Sequence, residues 1–143
     1  MKYVVDTHAL IWYLAGNPRL GTDAARALAD PASELILPAI ALAEVCWIVA
    51  RRATGVAVGD VLAALDADPR LSFHPLDRAV IERSETLAVI AEMHDRQIAA
   101  TALVLLDRGE AAALLTADAN ITASGLVPVV WRTRRFTCYN YTI

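Results

Sequence analysis

The feature that most limits the fold is the regular alternation of short β-like segments with helical segments along the chain. Strand-like patterns occur at residues 3–6, 34–37, 71–74, 113–116 and 127–130. Helical patterns lie between them, at residues 8–15, 22–29, 40–52, 59–67, 77–91 and 97–108. Strands and helices that alternate in this way form a parallel sheet with helices on both faces. The sequence therefore predicts an α/β protein, a three-layer α/β/α fold with a central, mostly parallel sheet.

Length and composition indicate one compact domain. Of the 143 residues, 57% are hydrophobic and 20% are charged, which favours a sizeable core over disorder. We expect this domain at residues 1–131 and a C-terminal tail of unknown role at residues 132–143, where the pattern ends. No apolar run reaches the ~18 residues of a membrane span, and residues 1–6 resemble a strand rather than a signal peptide. We therefore expect a cytoplasmic protein without membrane contact.

Three acidic residues each stand alone in an apolar segment. Asp6 is the only formally charged residue between positions 3 and 18, as Glu44 is between 35 and 50 and Asp118 is between 111 and 131. An ionised carboxylate that leaves water without a partner costs several kcal/mol, or its pKa shifts until the group is neutral. Something must offset that cost, and a divalent cation held by several carboxylates does so.

Two of these acids are predicted at the edge of the sheet where ligands bind. Asp6 ends the first predicted strand, and Asp118 lies two residues beyond the fourth. Ligands of open parallel sheets bind beyond the carboxyl ends of the strands. Both residues also precede a predicted helix, as does Asp95. A role limited to capping a helix is therefore the alternative for these three acids.

Glu44 needs a different explanation, because it lies in the middle of a predicted helix, where no cap is required. Its alternative is a buried ion pair with an arginine such as Arg51 or Arg96. One shared site explains all four acids together. Mg²⁺ and Mn²⁺ prefer oxygen ligands, and such a site could hold one ion, or two about 4 Å apart, against a phosphodiester.

The segments around these acids are V-D-T-H-A-L-I-W from residue 5, L-A-E-V from residue 42, D-R-Q-I-A-A-T-A from residue 95 and L-T-A-D from residue 115. Together they resemble the PIN-domain family, and within it the VapC-type toxins of toxin–antitoxin pairs. The resemblance runs from residue 2 to residue 131 in the same order and spacing. Any one segment is a weak signal, whereas four in register are specific.

The resemblance implies a metal-dependent endoribonuclease in which Mg²⁺ or Mn²⁺ activates water to cut RNA, leaving a 5′-phosphate and a 3′-hydroxyl. The residues that match the catalytic and metal-binding acids of the family are Asp6, Glu44, Asp95 and Asp118. Thr7 and Thr116 match hydroxyl-bearing positions beside those acids, where they would orient the metal ligands. Asn120 stands where some relatives carry a further acid, and its contribution is open.

The resemblance also implies three partners: an RNA substrate, a cognate antitoxin protein and a second copy of the chain in a homodimer. The apolar residues of the first helix and of residues 42–49 offer more apolar surface than one small core needs, which agrees with a subunit contact. We expect a segment of the antitoxin to lie in a groove near the acids. An arginine of that segment would occupy the carboxylate cluster.

Two other functions compete with the nuclease. A non-catalytic PIN scaffold would act only through protein contacts. An aspartate phosphoacceptor domain would use Asp6 as nucleophile, but such domains need a lysine downstream of the aspartate, and Lys2 is the only lysine. We expect His8 at the rim of the site, and Trp12 and Trp47 in the core or a subunit contact rather than as platforms for bases.

Overall fold

The computed structural model describes residues 1–133; residues 134–143, which include most of the predicted tail with Arg134, Arg135 and Cys138, lie outside the described residues. The strands within residues 1–133 are β1 Lys2–Val5, β2 Glu34–Pro38, β3 Leu71–His74 and β4 Ala112–Leu115. The helices are α1 Thr7–Ala15, α2 Thr22–Ala29, α3 Ala39–Arg51, α4 Val58–Ala67, α5 Arg78–Glu85, α6 Met93–Asp107 and α7 Ala119–Ser124.

The four strands form one parallel sheet in the order β3-β2-β1-β4. In the centre of the sheet, Tyr3 of β1 pairs with Leu35 on one side and with Ala113 on the other. Val4 and Leu114 have no exposed surface, because helices cover both faces of the sheet at its centre. The predicted three-layer α/β/α fold is confirmed.

The parallel arrangement brings the carboxyl ends of the strands to one edge. The backbone N–H of Asp6, directly after β1, donates to the carbonyl of Leu115, the last residue of β4, at 3.1 Å. At the same edge, β2 runs into α3 without an intervening loop. Residues that follow β1 and β4, and residues of the first turns of α3, therefore lie close together.

The fifth predicted strand, at residues 127–130, is reduced to one parallel bridge between Val129 and Leu114. Leu114 exchanges two backbone hydrogen bonds with the residues that flank Val129, donating to Pro128 at 2.8 Å and accepting from Val130 at 3.0 Å. The nitrogen of Pro128 carries no hydrogen, so the ladder cannot continue past this point. The prediction of a fifth full strand was wrong for this reason.

Two helix boundaries also differ from the predicted ones. The helix predicted at residues 77–91 ends at Glu85, and tight turns follow that bury Leu87 and Ile90 in the core. α6 begins at Met93, earlier than predicted, so Asp95 lies inside its first turn and Glu92 takes the N-cap position. The alternative that Asp95 serves only as a helix cap was therefore wrong.

The apolar surface of the helices is distributed differently from the prediction. Leu10 and Ile11 of α1 are buried in the core, so α1 does not offer the expected surplus. On α3, by contrast, Ala43 and Trp47 are exposed, and the exposed fraction of Trp47 is 54%. Within residues 1–133, no helix has the length and apolar character needed to cross a bilayer.

Candidate active site

The structure brings all four predicted acids to one cavity of about 320 Å³, called here the carboxylate cavity. It is lined by Asp6, Thr7, His8, Trp12, Glu44, Asp95, Ala117 and Asp118. The acids come from four separate places in the chain: the end of β1, the middle of α3, the first turn of α6 and the loop after β4. They meet because β1, β4 and both helices share the carboxyl edge of the sheet.

Asp6 is the most buried of the four acids, with 8% of its surface exposed. Its Oδ1 accepts a hydrogen bond from the backbone N–H of Thr7 at 2.6 Å, and its Oδ2 accepts one from the hydroxyl of Thr116 at 2.5 Å. Burial raises the pKa of Asp6, while these two hydrogen bonds oppose the rise because they favour the ionised carboxylate. Asp6 thus caps α1 and also faces the cavity.

Asp118 combines the same two tasks. Its Oδ1 accepts from the backbone N–H of Ile121 at 2.8 Å and so caps α7. Its own backbone N–H donates to the hydroxyl oxygen of Thr116 at 3.0 Å. Because that hydroxyl donates its proton to Asp6, Thr116 joins the two acids through one buried side chain. Capping alone does not account for the position of either acid.

Glu44 contacts neither of the arginines considered for it. Arg51 lies over the ring of Trp47, with its guanidinium carbon 4.4 Å from the ring centroid. Arg96 donates to the backbone carbonyls of the turn before α6. Glu44 instead accepts from the Thr7 hydroxyl at 3.2 Å and lies 3.8 Å from Nδ1 of His94. The alternative of an ion pair with either arginine was therefore wrong. Burial raises the pKa of Glu44.

Asp95 carries the clearest electrostatic sign that the acids form one cluster. Its pKa is raised to about 6, first by burial and then by the negative charges of Asp118, Asp6 and Glu44. Neighbouring negative charges raise the pKa of a carboxylate appreciably only when they are close to it and poorly screened by solvent. The cavity therefore holds a concentration of negative charge that attracts cations.

The donor set fits a hard divalent cation. Within residues 1–133, no group of three or more His, Cys, Asp or Glu side chains is arranged closely enough to hold a metal ion. Mg²⁺ does not need such a group, because it keeps several waters and is commonly held by one or two carboxylates together with substrate phosphate. Four carboxylates around an open cavity, without a thiolate among them, suit Mg²⁺ or Mn²⁺ better than zinc.

Of the other residues considered in the sequence, some lie at the carboxylate cavity and one does not. Thr7 and Thr116 contact the acids as the sequence led us to expect, and His8 lies on the cavity wall. Asn120 is exposed on α7 and is not part of the lining of the carboxylate cavity. Trp12, predicted only as a core or contact residue, packs on the core and also lines the cavity. Trp12 follows His8 by four residues on the same helix, so both lie on one face of it. This spacing could have indicated from the sequence that Trp12 lines the cavity.

The sequence analysis did not identify His94 as part of the site. His94 directly precedes Asp95 in the chain, and its side chain faces Glu44. The phosphoacceptor alternative is contradicted by the position of Lys2, whose ammonium lies 3.1 Å from Glu110 at the amino end of β1. Four residues of extended strand place Lys2 about 13 Å from Asp6, at the opposite edge of the sheet.

Comparison with known proteins agrees with this fold. The PIN domain, as a family, matches residues 3–124. The chain belongs to the PIN-domain family. Two solved structures have a similar fold. VapBC2 from Rickettsia felis, bound to a DNA fragment from their promoter, has a TM-score of 0.64 and 17% identity over 92% of this chain and 99% of that chain. FitAcB from Neisseria gonorrhoeae has a TM-score of 0.63 and 21% identity over 91% of this chain and 96% of that chain.

Among curated proteins, none matches this sequence significantly. The resemblance to the PIN-domain family that the sequence indicated is confirmed. The boundary expected between the domain and the tail, and the roles expected for individual site residues, stay predictions.

Proposed function

We propose that this PIN domain is a metal-dependent endoribonuclease and the toxin of a toxin–antitoxin pair. The observation that carries the proposal is the meeting of Asp6, Glu44, Asp95 and Asp118 in one cavity at the carboxyl edge of the sheet. Family membership supports a nuclease, because PIN domains are generally nucleases. The raised pKa of Asp95, about 6, supports a cluster suited to binding cations.

In this proposal the four acids hold Mg²⁺ or Mn²⁺. The metal would supply polarisation of the phosphoryl oxygen and a lowered pKa for the attacking water. The protein's own contribution is orientation. Thr116 holds Asp6 through its hydroxyl at 2.5 Å, and Thr7 holds Glu44 at 3.2 Å. Side chains that are fixed in this way lose less freedom when they bind a ligand, which strengthens binding.

An antitoxin would bind beside the same cavity. A groove of about 540 Å³, called here the α3 groove, is lined by His8, Ile40, Ala43, Glu44, Trp47, Ile48, Arg52 and His94. It combines exposed apolar surface with Glu44, so an amphipathic segment could pack along α3 and place an arginine among the carboxylates. Replacing the arginines of the antitoxin one at a time should relieve inhibition of cleavage. Unchanged inhibition in every replacement would contradict this contact.

We further propose a homodimer that acts in the cytoplasm, as the family resemblance implies. Trp47 on α3 and Met93 at the start of α6 are more than half exposed and offer apolar surface for partner contacts. Light scattering during size-exclusion chromatography would test the dimer. A monomeric mass at every protein concentration tested would refute it.

Cleavage of a mixed RNA pool by the purified protein tests the enzyme directly. We expect cuts that bear 5′-phosphates in Mg²⁺ or Mn²⁺, and none after addition of EDTA or in Asp6→Asn. Asp66→Asn, at an exposed position of α4 away from the cavity, is the matched control and should cut normally. Absence of both cleavage and metal binding by calorimetry would instead support the non-catalytic scaffold.

A further inference from the structure

A second and larger cleft adjoins the carboxylate cavity. Within residues 1–133 it has a volume of about 760 Å³ and is called here the tryptophan cleft. Its lining consists of Trp12, Pro18, Arg19, Thr116, Ala117, Ala119, Thr122, Ala123, Val129, Trp131, Arg132 and Thr133. It shares Trp12 and Ala117 with the carboxylate cavity, so the two spaces are neighbours across one wall. Its volume lies in the range of roughly 300–1,000 Å³ that is usual for ligand sites.

Three aromatic rings lie in a row between the carboxylate cavity and the tryptophan cleft. His8 and Trp12 have ring centroids 5.5 Å apart, and Trp12 and Trp131 have centroids 6.0 Å apart with a tilt of 55°. Both tryptophans are half-buried, which leaves part of each ring surface open. Small side chains such as Ala119 and Ala123 line the rest of the cleft and leave room beside the rings. Unstacked bases bind to such aromatic surfaces in single-stranded RNA.

The position of Trp131 is built into the fold. Its carbonyl accepts from the backbone N–H groups of Asp23 at 3.1 Å and of Ala24 at 3.3 Å, and the carbonyl of Arg132 accepts from Thr22 at 2.9 Å. The first N–H groups of α2 are thereby satisfied by this segment. Arg132 has φ of 52°, in the left-handed region that non-glycine residues rarely adopt. The surrounding contacts thus hold the segment in an unusual conformation.

Gly21 allows this close approach. A Cβ atom at this position would lie 2.3 Å from the carbonyl oxygen of Trp131. Any larger residue would therefore push Trp131 and Arg132 away from α2. Gly21 itself is not part of the cleft lining, which makes it useful for moving the ring of Trp131 without altering a contact residue.

The charges of the cleft suit a polyanion. Arg19 and Arg132 are exposed on its lining, next to a cavity of four acids and on a chain whose net charge is −3. Arg132 Nε lies 3.2 Å from the half-buried Asp23, but the arginine side chain is largely exposed, so the ion pair is weak. The guanidinium also retains other donors for phosphate. A protein segment that carries arginine towards the acids would be repelled by Arg19 and Arg132, whereas an RNA backbone would be attracted.

We propose that the tryptophan cleft binds the single-stranded RNA next to the phosphate that is cut, with one base against Trp12 and Trp131 and the backbone phosphates at Arg19 and Arg132. The inference rests on the proposed nuclease function and identifies the part of the protein that holds its substrate. Trp12, Trp131, Arg19 and Arg132 are therefore substrate-binding residues that also influence which bases are accepted.

The test measures binding separately from cleavage. The probe is a short, fluorescein-labelled single-stranded RNA of mixed sequence, followed by anisotropy with the full chain in Ca²⁺ instead of Mg²⁺. Trp131→Leu should weaken binding roughly five- to hundredfold, as expected for the loss of one stacked base. Arg19→Gln should weaken binding and lower the slope of log affinity against log salt concentration by about 0.7. Gly21→Ala should reproduce part of the Trp131→Leu effect.

Phe73→Leu, at an exposed aromatic on β3, and Arg108→Gln are the matched controls, because both residues lie outside the cleft, and they should bind RNA as the original protein does. Circular dichroism checks that every variant is folded. Unchanged affinity in both Trp131→Leu and Arg19→Gln would overturn the proposal. If the original protein cleaves RNA in that case, the nuclease function stands and only the cleft is wrongly assigned. If the original protein neither binds nor cleaves RNA, both proposals fail.

Discussion

The hydroxyl of Thr116 donates a hydrogen bond to Oδ2 of Asp6 at 2.5 Å, across 110 positions of the sequence. The same hydroxyl accepts from the backbone N–H of Asp118 at 3.0 Å. One buried threonine therefore sets the relative position of two acids that come from neighbouring strands. The charges of Asp6 and Asp118 repel each other, and this link through Thr116 opposes their separation.

Replacing Thr116 tests this link. Thr116→Val removes the hydroxyl while keeping the shape of the side chain, and we expect metal affinity and cleavage to fall about 10- to 100-fold. Thr116→Ser keeps the hydroxyl and should retain most of both. Calorimetric titration with Mn²⁺ measures the affinity. Equal affinity in the valine and serine variants would show that the hydrogen bond does not position the acids.

Replacing Asp6 or Asp118 by asparagine separates catalysis from stability. Cleavage should fall roughly a hundredfold or more, since a metal ligand contributes several kcal/mol to the transition state. The metal-free protein should be equally or more stable, because one repulsive charge is removed and asparagine is also a good N-cap. Thermal unfolding in EDTA measures this. A clear drop in Tm would indicate that capping is the main role of the acid.

The raised pKa of Asp95 predicts how stability depends on pH without metal. Its pKa is about 6 in the folded protein and 3.8 in the reference state, so the folded protein retains a proton that the unfolded chain releases. The free energy of unfolding should therefore contain a contribution that is present below about pH 4 and is lost as pH rises through about 6. Burial of Asp6 and Glu44 acts in the same direction.

Thermal unfolding in EDTA between about pH 4.5 and about pH 7.5 checks this dependence. Asp95→Asn should flatten the decrease in Tm, and Asp66→Asn, at the exposed position on α4, should leave it unchanged. A Tm that rises with pH over this window in the original protein would contradict the predicted sign. Added Mn²⁺ should raise Tm most at the upper end, where the carboxylates are ionised.

Arg96 lies beside Asp95 but is predicted to act on structure rather than on RNA. Its guanidinium donates to the carbonyls of Ala88 and Ile90 and so holds the turn that precedes α6. Arg96→Lys replaces the two separate donor nitrogens of the guanidinium by a single ammonium nitrogen, and it should lower the free energy of unfolding by about 1–3 kcal/mol. Urea denaturation measures the loss. The salt dependence of RNA binding should stay unchanged, and a reduced slope would show that Arg96 contacts phosphate.

Much of the fold and of the site was predictable from local sequence. The alternation of strand and helix patterns predicted the parallel sheet, because each pattern reports which side of an element is buried. Asp6 and Asp118 were identifiable because a lone charge in an apolar segment needs a partner. Their places at strand ends followed from counting along the chain, since parallel strands share their carboxyl edge.

The sequence by itself determined the fold class, the family resemblance and the four acids, because each depends on residue types and spacings close together in the chain. Only the tertiary structure decided that Glu44 faces His94 and not Arg51, and that Trp131 lies against Trp12. It also reduced the last strand to a single bridge at Val129. These features depend on contacts between residues that are far apart in the sequence. Local sequence patterns do not specify which of these distant surfaces pack together.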